Sequence, residues 1–269
     1  MAAGRIVTLT TDFGQRDPFV GVMKGVILGI CREATLIDLT HEVAPFDIRE
    51  GAVALESAWR FFPMGTIHLA VVDPGVGGRR RGLALEAGGH YFVGPDNGLF
   101  SFALMREQWS AVSIEASAYR RSEVSRTFHG RDIFAPAAGH LAAGVPLERL
   151  GPRITDPIQV PLPQCRRAGD EIIGEVVGPD RFGNLLTSVA ADMVSELAPD
   201  GAIEVTLEGR QISGLASSYE ASPPGVARVI VGSSGRLEIF IRNASAQAAL
   251  GAAPGTELTI RRLGSGRRL

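Results

Sequence analysis

The chain has 269 residues, 45% of them hydrophobic, and a formal net charge of −2. That is enough for one large or two ordinary globular domains and excludes disordered and fibrous classes. It offers no basic field to attract nucleic acid or an anionic membrane surface, and no apolar run approaches the ~20 residues of a membrane-spanning helix. The opening MAAGRIVTLTT runs straight into a strand pattern with no signal peptide, and Cys31 and Cys165 fit no metal-ligand spacing. Both features read as a cytoplasmic protein with free thiols. Lys24 is the only lysine and no GxxxxGK[ST] loop is present, which argues against Schiff-base and P-loop chemistry.

The first half alternates apolar runs with helical patterns. Ile6–Thr11 reads as a strand, Pro18–Cys31 as a helix, Thr35–Leu39 as a strand, Ile48–Phe62 as a helix and Thr66–Val72 as a strand. This βαβ order predicts an α/β domain with a mainly parallel sheet. Asp17 before Pro18 is a good helix start, because aspartate caps free amides and proline is preset for the first turn. Strand-like pieces follow at Gly82–Glu86 and Tyr91–Val93, then helices at Leu99–Arg106 and from Asp132 to Ala143.

Around Gly151–Gly169 the pattern turns proline-rich and irregular, as at an interdomain crossing. The α/β domain is therefore set at 1–155 and the linker at 156–169. Beyond it lie short runs at Ile172–Val177, Ala202–Leu207, Val226–Val231, Leu237–Ile241 and Glu257–Arg262, separated by glycine and proline turns. Short strands without long helices predict an all-β antiparallel barrel over 170–263, followed by a flexible tail at 264–269.

Two segments carry the densest chemistry: Asp73-Pro-Gly-Val-Gly-Gly-Arg-Arg80 and Thr127-Phe-His129-Gly-Arg-Asp132. Each follows an apolar or strand-like stretch and is broken by glycine, so they can bring a carboxylate, a guanidinium and an imidazole together at a strand exit or helix start. Three successive arginines, Arg79–Arg81, read either as a solvated face or as supplying one fork that folds back onto Asp73. His129 reads either as a structural hydrogen-bonding group or as a catalyst, and the helix N-terminus near Asp132 favours an anion beside it. His41, His68, His90 and His140 lack such a setting and read as structural.

Asp12 ends the first strand in Thr-Thr-Asp12-Phe-Gly14, where a carboxylate either stabilises a turn or binds hydroxyls or a metal. In the second half, Asp180-Arg-Phe182-Gly-Asn184 reads as a β-turn or as a stacking face with a two-way hydrogen bonder suited to a purine. The loop Gly232-Ser233-Ser234-Gly235 could cradle a carboxylate.

Read in order, TTDFG, VVDPGVG with its arginines, PDNG at Pro95–Gly98, TFHGRD, DRFGN and GSSG resemble the S-adenosyl-L-methionine hydroxide adenosyltransferases, relatives of the enzymes that fluorinate or chlorinate the same substrate. The resemblance runs from Arg5 to Arg262 and implies hydrolysis of S-adenosyl-L-methionine to adenosine and L-methionine, without a cofactor or metal. It also implies a homotrimer whose sites lie between one subunit's first domain and a neighbour's second.

Its catalytic set falls on Asp73, Arg80 and His129, with Arg79 and Arg81 as the alternatives to Arg80. Asp12 would hold the ribose hydroxyls beside Phe46, and Asp17, Asp180 and Ser233 the methionine end. Phe182, Asn184, Tyr219 and the backbone at Ala244 would enclose adenine. In the halogenating relatives other residues stand at the positions of Asp73 and His129, so the resemblance favours water as nucleophile. On this reading Arg80 stabilises hydroxide while Asp73 and His129 orient the water and take its proton. Two other readings stay open: a metal-dependent hydrolase using Asp12, Asp73, His129 and Asp132, and a protein that binds S-adenosylmethionine without turning it over.

Overall fold

The computed structural model describes residues 5–263, so the tail Gly264–Leu269 lies outside the described residues. Two compact units divide between Leu162 and Pro163.

The first unit runs β1 (Ile6–Thr11), α1 (Phe19–Ile30), β2 (Thr35–Thr40), α2 (Ile48–Ala58), β3 (Ile67–Val71), β4 (Gly82–Ala87), β5 (His90–Pro95), α3 (Ser101–Arg106), β6 (Trp109–Ser113), α4 (Ala135–Ala142) and β7 (Arg153–Ile154). Its sheet has the order β2-β1-β3-β5-β4-β6-β7. β1 and β3 are buried along almost their whole length, threonines and His68 included, because both of their faces are covered. One core packs α1 and α4 through Met23, Ile27, Phe134 and Leu141. The other packs α2 and α3 through Leu55, Trp59, Phe100 and Phe102.

The sheet is mixed, not mainly parallel. β2, β1, β3 and β5 run parallel, while β4 is antiparallel to β5 and β6, and β7 to β6. The reason is local: no helix separates β4 from β5. Only Gly88-Gly89 does, and a two-residue glycine turn can join strands only as a hairpin. Helix α1 also departs from expectation, since it begins at Phe19 with Pro18 at its N-cap and no side-chain capping bond. Asp17 is exposed just outside it.

From β1 the chain passes through α1 to β2 on one side, then through α2 to β3 on the other. The carboxyl ends of β1 and β3 thus form a topological switch point, where connections diverge and leave a crevice. Residues 156–162 run against the same unit: Ile158 N–H donates to Asp96 (2.7 Å), Val160 N–H to Ser101 Oγ (2.9 Å), and Leu162 is buried in the α2–α3 core.

The second unit runs β8 (Arg166–Ala168), β9 (Glu171–Pro179), β10 (Leu185–Ala190), α5 (Ala191–Leu197), β11 (Ile203–Leu207), β12 (Arg210–Ser213), β13 (Ala227–Val231), β14 (Arg236–Ile241), α6 (Ala246–Leu250) and β15 (Glu257–Arg262). Every pairing of these strands is antiparallel, in the order β12-β11-β15-β9-β10-β14-β13 with β8 beside β9. A single bridge from Leu215 to Val229, with Arg228 donating to the Ser213 carbonyl (2.8 Å), brings the end strands together. The result is a nearly closed barrel filled by Ile172, Val205, Ile239 and Ile260.

Candidate active site

Asp73 stands two residues beyond β3, in a strand exit that proline and glycine prevent from continuing as sheet. Val71 pairs with Thr11, so Asp12 and Asp73 leave the ends of adjacent parallel strands at the switch point. The loop after Asp73 turns Arg80 back onto it: Arg80 Nε donates to Asp73 Oδ1 (2.9 Å) and Oδ2 (3.1 Å), and Nη2 also donates to Oδ2. Only 10% of the Arg80 side chain and 5% of the Asp73 side chain are exposed, so this ion pair sits largely out of water. The guanidinium also lies over the buried Phe134 ring, 5.1 Å from its centroid.

Arg80 Nη2 reaches a second partner, His129 Nδ1, at 2.7 Å. Of the three neighbouring arginines, Arg80 is the one at Asp73. Arg81 instead meets Asp96 and Asp156, and Arg79 is exposed. Among the described residues, Arg80 Nη1 has no protein partner and is the donor left for a ligand.

His129 is placed by a single π-helical turn, Gly130–Phe134, that runs into α4. Such turns widen a helix locally and are common where a side chain must be aimed. The two loops are joined by a close backbone approach. Gly77, at φ +76°, lies so near the segment leading into His129 that a Cβ there would sit 2.2 Å from the Arg126 carbonyl oxygen. Phe13, Phe19 and Phe128 meet edge to face at 5.2–6.1 Å, tying the Asp12 turn, the start of α1 and the His129 loop together. Burial, and after it the Arg80 charge, hold the His129 imidazole below the usual histidine range, against a weaker upward pull from Asp73 and Asp132.

Asp12 Oδ2 accepts the Phe46 N–H (2.9 Å), while Oδ1 has no hydrogen-bond partner among the described residues. Phe46 is 69% exposed with φ 70°, and the next residue, Asp47, caps α2 by accepting from Glu50 N (2.9 Å). The Asp12–Phe46 pair is thereby fixed between β1 and a capped helix. Asp132, by contrast, has its oxygens engaged elsewhere: fully buried, it accepts from Arg131 (2.6 and 2.9 Å) and from Ser125 N (2.9 Å). Asp12, Asp73, His129 and Asp132 therefore do not form a common ligand set, and among the described residues no His/Cys/Asp/Glu group has metal-holding geometry.

In the second unit, the sequence-derived residues form a patch of their own. Asp180 folds its turn around itself, with Oδ1 accepting from Phe182 N (2.8 Å) and Asn184 N (2.9 Å) and Oδ2 from Asn184 Nδ2 (2.8 Å). Phe182 is left 80% exposed, while Asn184 is buried. The turn packs closely on the start of α6. A Cβ at Gly183 (φ +83°) would lie 2.3 Å from Ser245 Oγ, and Gln247 N donates to the Gly183 carbonyl (2.9 Å), so Ala244 stands beside the turn.

Tyr219 donates its hydroxyl to Glu238 Oε2 (2.8 Å) and packs edge-on against Phe240. Burial, then Glu238 and more distantly Asp180, push its phenol up to about 12. Ser233 lies exposed in the β13–β14 turn, whose Gly232 backs onto Glu238. Glu238 was not anticipated from the sequence. Its signal was an acid inside the otherwise apolar Leu237–Ile241 strand.

The chain matches the family model of the SAM hydroxide adenosyltransferase N-terminal domain over residues 7–151 and that of its C-terminal domain over 174–259. It is 36% identical to an (R)-S-adenosyl-L-methionine hydrolase of Salinispora tropica, covering 97% of this chain and 99% of that protein. It is 39% identical to an (R)-S-adenosyl-L-methionine hydrolase of Thermus thermophilus, covering 92% and 96%. The crystal structure of an uncharacterized conserved protein from Thermotoga maritima superposes with a TM-score of 0.91 at 35% identity, over 96% of this chain and 100% of that one.

Proposed function

The chain belongs to the SAM hydroxide adenosyltransferase family, and from that premise we infer that it is an enzyme hydrolysing S-adenosyl-L-methionine to adenosine and L-methionine. The observation that carries the chemistry is the clamping of Arg80 between Asp73 and His129, with Nη1 left to meet a ligand. In this reading a water oxygen bound at Nη1 attacks ribose C5′. An O–C5′ bond forms as the C5′–S bond breaks, and the electron pair leaves on sulfur as a neutral thioether. No general acid is therefore needed.

The guanidinium stabilises the developing hydroxide, and the proton passes to the Asp73 carboxylate at the same site. His129 acts differently from the sequence expectation, since its Nδ1 already accepts from Arg80. It orients the arginine, and it could take a proton at Nδ1 only by releasing that bond. A buried site favours the step, because hydroxide and sulfonium neutralise each other as they react.

Asp12 Oδ1 is the proposed acceptor for ribose hydroxyls, with Phe46 as an apolar wall. Asp17 and Ser233 serve the methionine end, and Phe182, Asn184, Tyr219 and Ala244 serve adenine. Asp180 has both oxygens bound within its own turn, so its proposed part is to shape the turn and lend negative charge to the methionine ammonium. A homotrimer in the cytoplasm belongs to the same proposal, and analytical ultracentrifugation tests its oligomeric part. No helix among the described residues is long and apolar enough to cross a membrane.

Chromatography of the purified protein with S-adenosylmethionine tests the reading. Adenosine and methionine in equal amounts, unaffected by chelator, support it. Activity that chelator abolishes and a divalent ion restores would favour metal-dependent hydrolysis, and binding without products would favour a sequestering protein.

A further inference from the structure

His41 has no part in the chemistry above, yet it is buried directly behind the Asp12 turn. Its exposure is 2%, and that of Thr11 is 0%. Thr11 Oγ1 lies 2.8 Å from His41 Nδ1. His41 Nε2 lies 2.9 Å from Asp38 Oδ1, a close contact with the N–H angled off the oxygen, and Asp38 Oδ2 pairs with Lys24 Nζ at 2.6 Å. The line runs from a surface ion pair inward to a hydroxyl adjoining Asp12. A carboxylate beside Nε2 favours the proton on that nitrogen, so Nδ1 accepts and Thr11 donates.

The direction of that bond matters for Asp12. With its proton committed to His41, Thr11 Oγ1 offers a lone pair to the Phe13 N–H (3.2 Å), closing a side-chain turn around Asp12. The His41 backbone grips the same turn, since its carbonyl accepts Gly14 N–H (2.7 Å), and Val43 N–H reaches the Thr11 carbonyl (3.4 Å). Three residues on, the segment delivers the Phe46 N–H to Asp12 Oδ2. Every bond that sets the Asp12 side chain thus originates in the turn itself or in the segment pinned by His41.

We propose that the Asp38–His41–Thr11 line is a positioning device for Asp12, holding its carboxylate at the distance and angle at which it takes the ribose hydroxyls. This rests on the hydrolase reading and on Asp12 as the ribose acceptor. Asp38 completes the device electrostatically. Burial raises its carboxyl, but the bonds from Lys24 and His41 outweigh that and hold it below the usual carboxylate range, ionised beside the imidazole. A displacement of about 1 Å in a group that aligns substrate can cost ~10²-fold in rate, so the device need move Asp12 only slightly to matter.

The test is a double-mutant cycle on the full-length protein with S-adenosylmethionine as probe. His41→Phe keeps a buried ring but removes both nitrogens; His41→Asn restores an acceptor near the Nδ1 position. The expected result is a fall in kcat/KM of ~10-fold or more for His41→Phe, carried mainly by KM, with partial recovery in His41→Asn. Asp12→Ala and Asp12→Ala/His41→Phe should then agree within about twofold, because the device has nothing left to position.

If His41→Phe does not fold, Thr11→Val against Thr11→Ser runs the same cycle, with serine near wild type. Losses that multiply in the double variant would overturn the positioning role, as would a His41→Phe enzyme with unchanged KM. Absence of adenosine from the wild type would instead overturn the hydrolase reading, and wild-type kinetics in Asp12→Ala would overturn the ribose assignment.

Discussion

Arg80 Nη2 lies 2.7 Å from His129 Nδ1, and because a guanidinium only donates, His129 is held as a neutral imidazole with its proton on Nε2. The proposed catalytic group is therefore a cation clamped between one carboxylate and one lone pair. Protonating His129 would put two donors face to face and release Arg80.

The pH dependence follows directly. Burial and the Arg80 charge depress the His129 pKa below 6.5, so the competent neutral form persists above 6.5 and is lost as pH falls through the lower folded-state value. The acid limb of kcat/KM should lie below pH 6.5 and disappear in His129→Asn, which cannot titrate. A limb at or above 6.5, or one unchanged in His129→Asn, would contradict this tautomer.

Arg80→Lys tests the fork. An ammonium cannot reach Asp73, His129 and a ligand oxygen in one plane, so kcat should drop ~10²–10³-fold with KM little changed. Steady-state kinetics with circular dichroism to confirm folding would decide it. A variant keeping a third of wild-type kcat would show that charge alone suffices.

Gly77→Ala should separate the two loops. The left-handed backbone costs about 1–3 kcal/mol for a non-glycine residue, and the added Cβ would meet the Arg126 carbonyl oxygen at 2.2 Å. We expect a lowered Tm in calorimetry together with ~10²-fold lower kcat/KM, since relief requires the His129 loop to move away from Arg80. An unchanged rate would mean that the contact does not set the site.

His68, which has no part in the proposed chemistry, should control acid stability. His68 is fully buried between Thr8 (2.8 Å) and His90 (3.2 Å), and burial, then His90, push it down to about 3. The unfolded chain binds this proton near 6.5 and the folded chain does not, so stability is full above 6.5 and declines progressively down to about pH 3. Urea midpoints measured across that window should fall in the wild type and fall less steeply in His68→Gln. Parallel slopes would rule His68 out as the cause.

Much of this was legible in the sequence for a physical reason. β1 matched its expected bounds residue for residue because Ile6–Thr11 is a run of β-branched and aliphatic residues closed by Asp12 and the turn at Gly14. An arginine folding back onto Asp73 was one reading of the glycine-broken loop, but the choice of Arg80 from Arg79–Arg81 came from the family resemblance, because three adjacent guanidiniums look alike in sequence. The mixed sheet was not legible, because the βαβ rhythm of the first three strands masked the Gly88-Gly89 hairpin signal.

Neither the competence of Asp17 as a cap nor the tautomer of His129 is written in residue order. Both depend on where a neighbouring backbone or guanidinium ends up. His41 was read as structural because its setting exists only after the loop following β2 folds against β1.

On the proposed mechanism Arg80 directs water at C5′ of the ribose. Mass spectrometry of products formed from S-adenosyl-L-methionine in ¹⁸O-labelled water tests it most directly. One ¹⁸O in the 5′-hydroxyl of adenosine and none in methionine are expected. Unlabelled adenosine, methylthioadenosine or a methylated acceptor would contradict it.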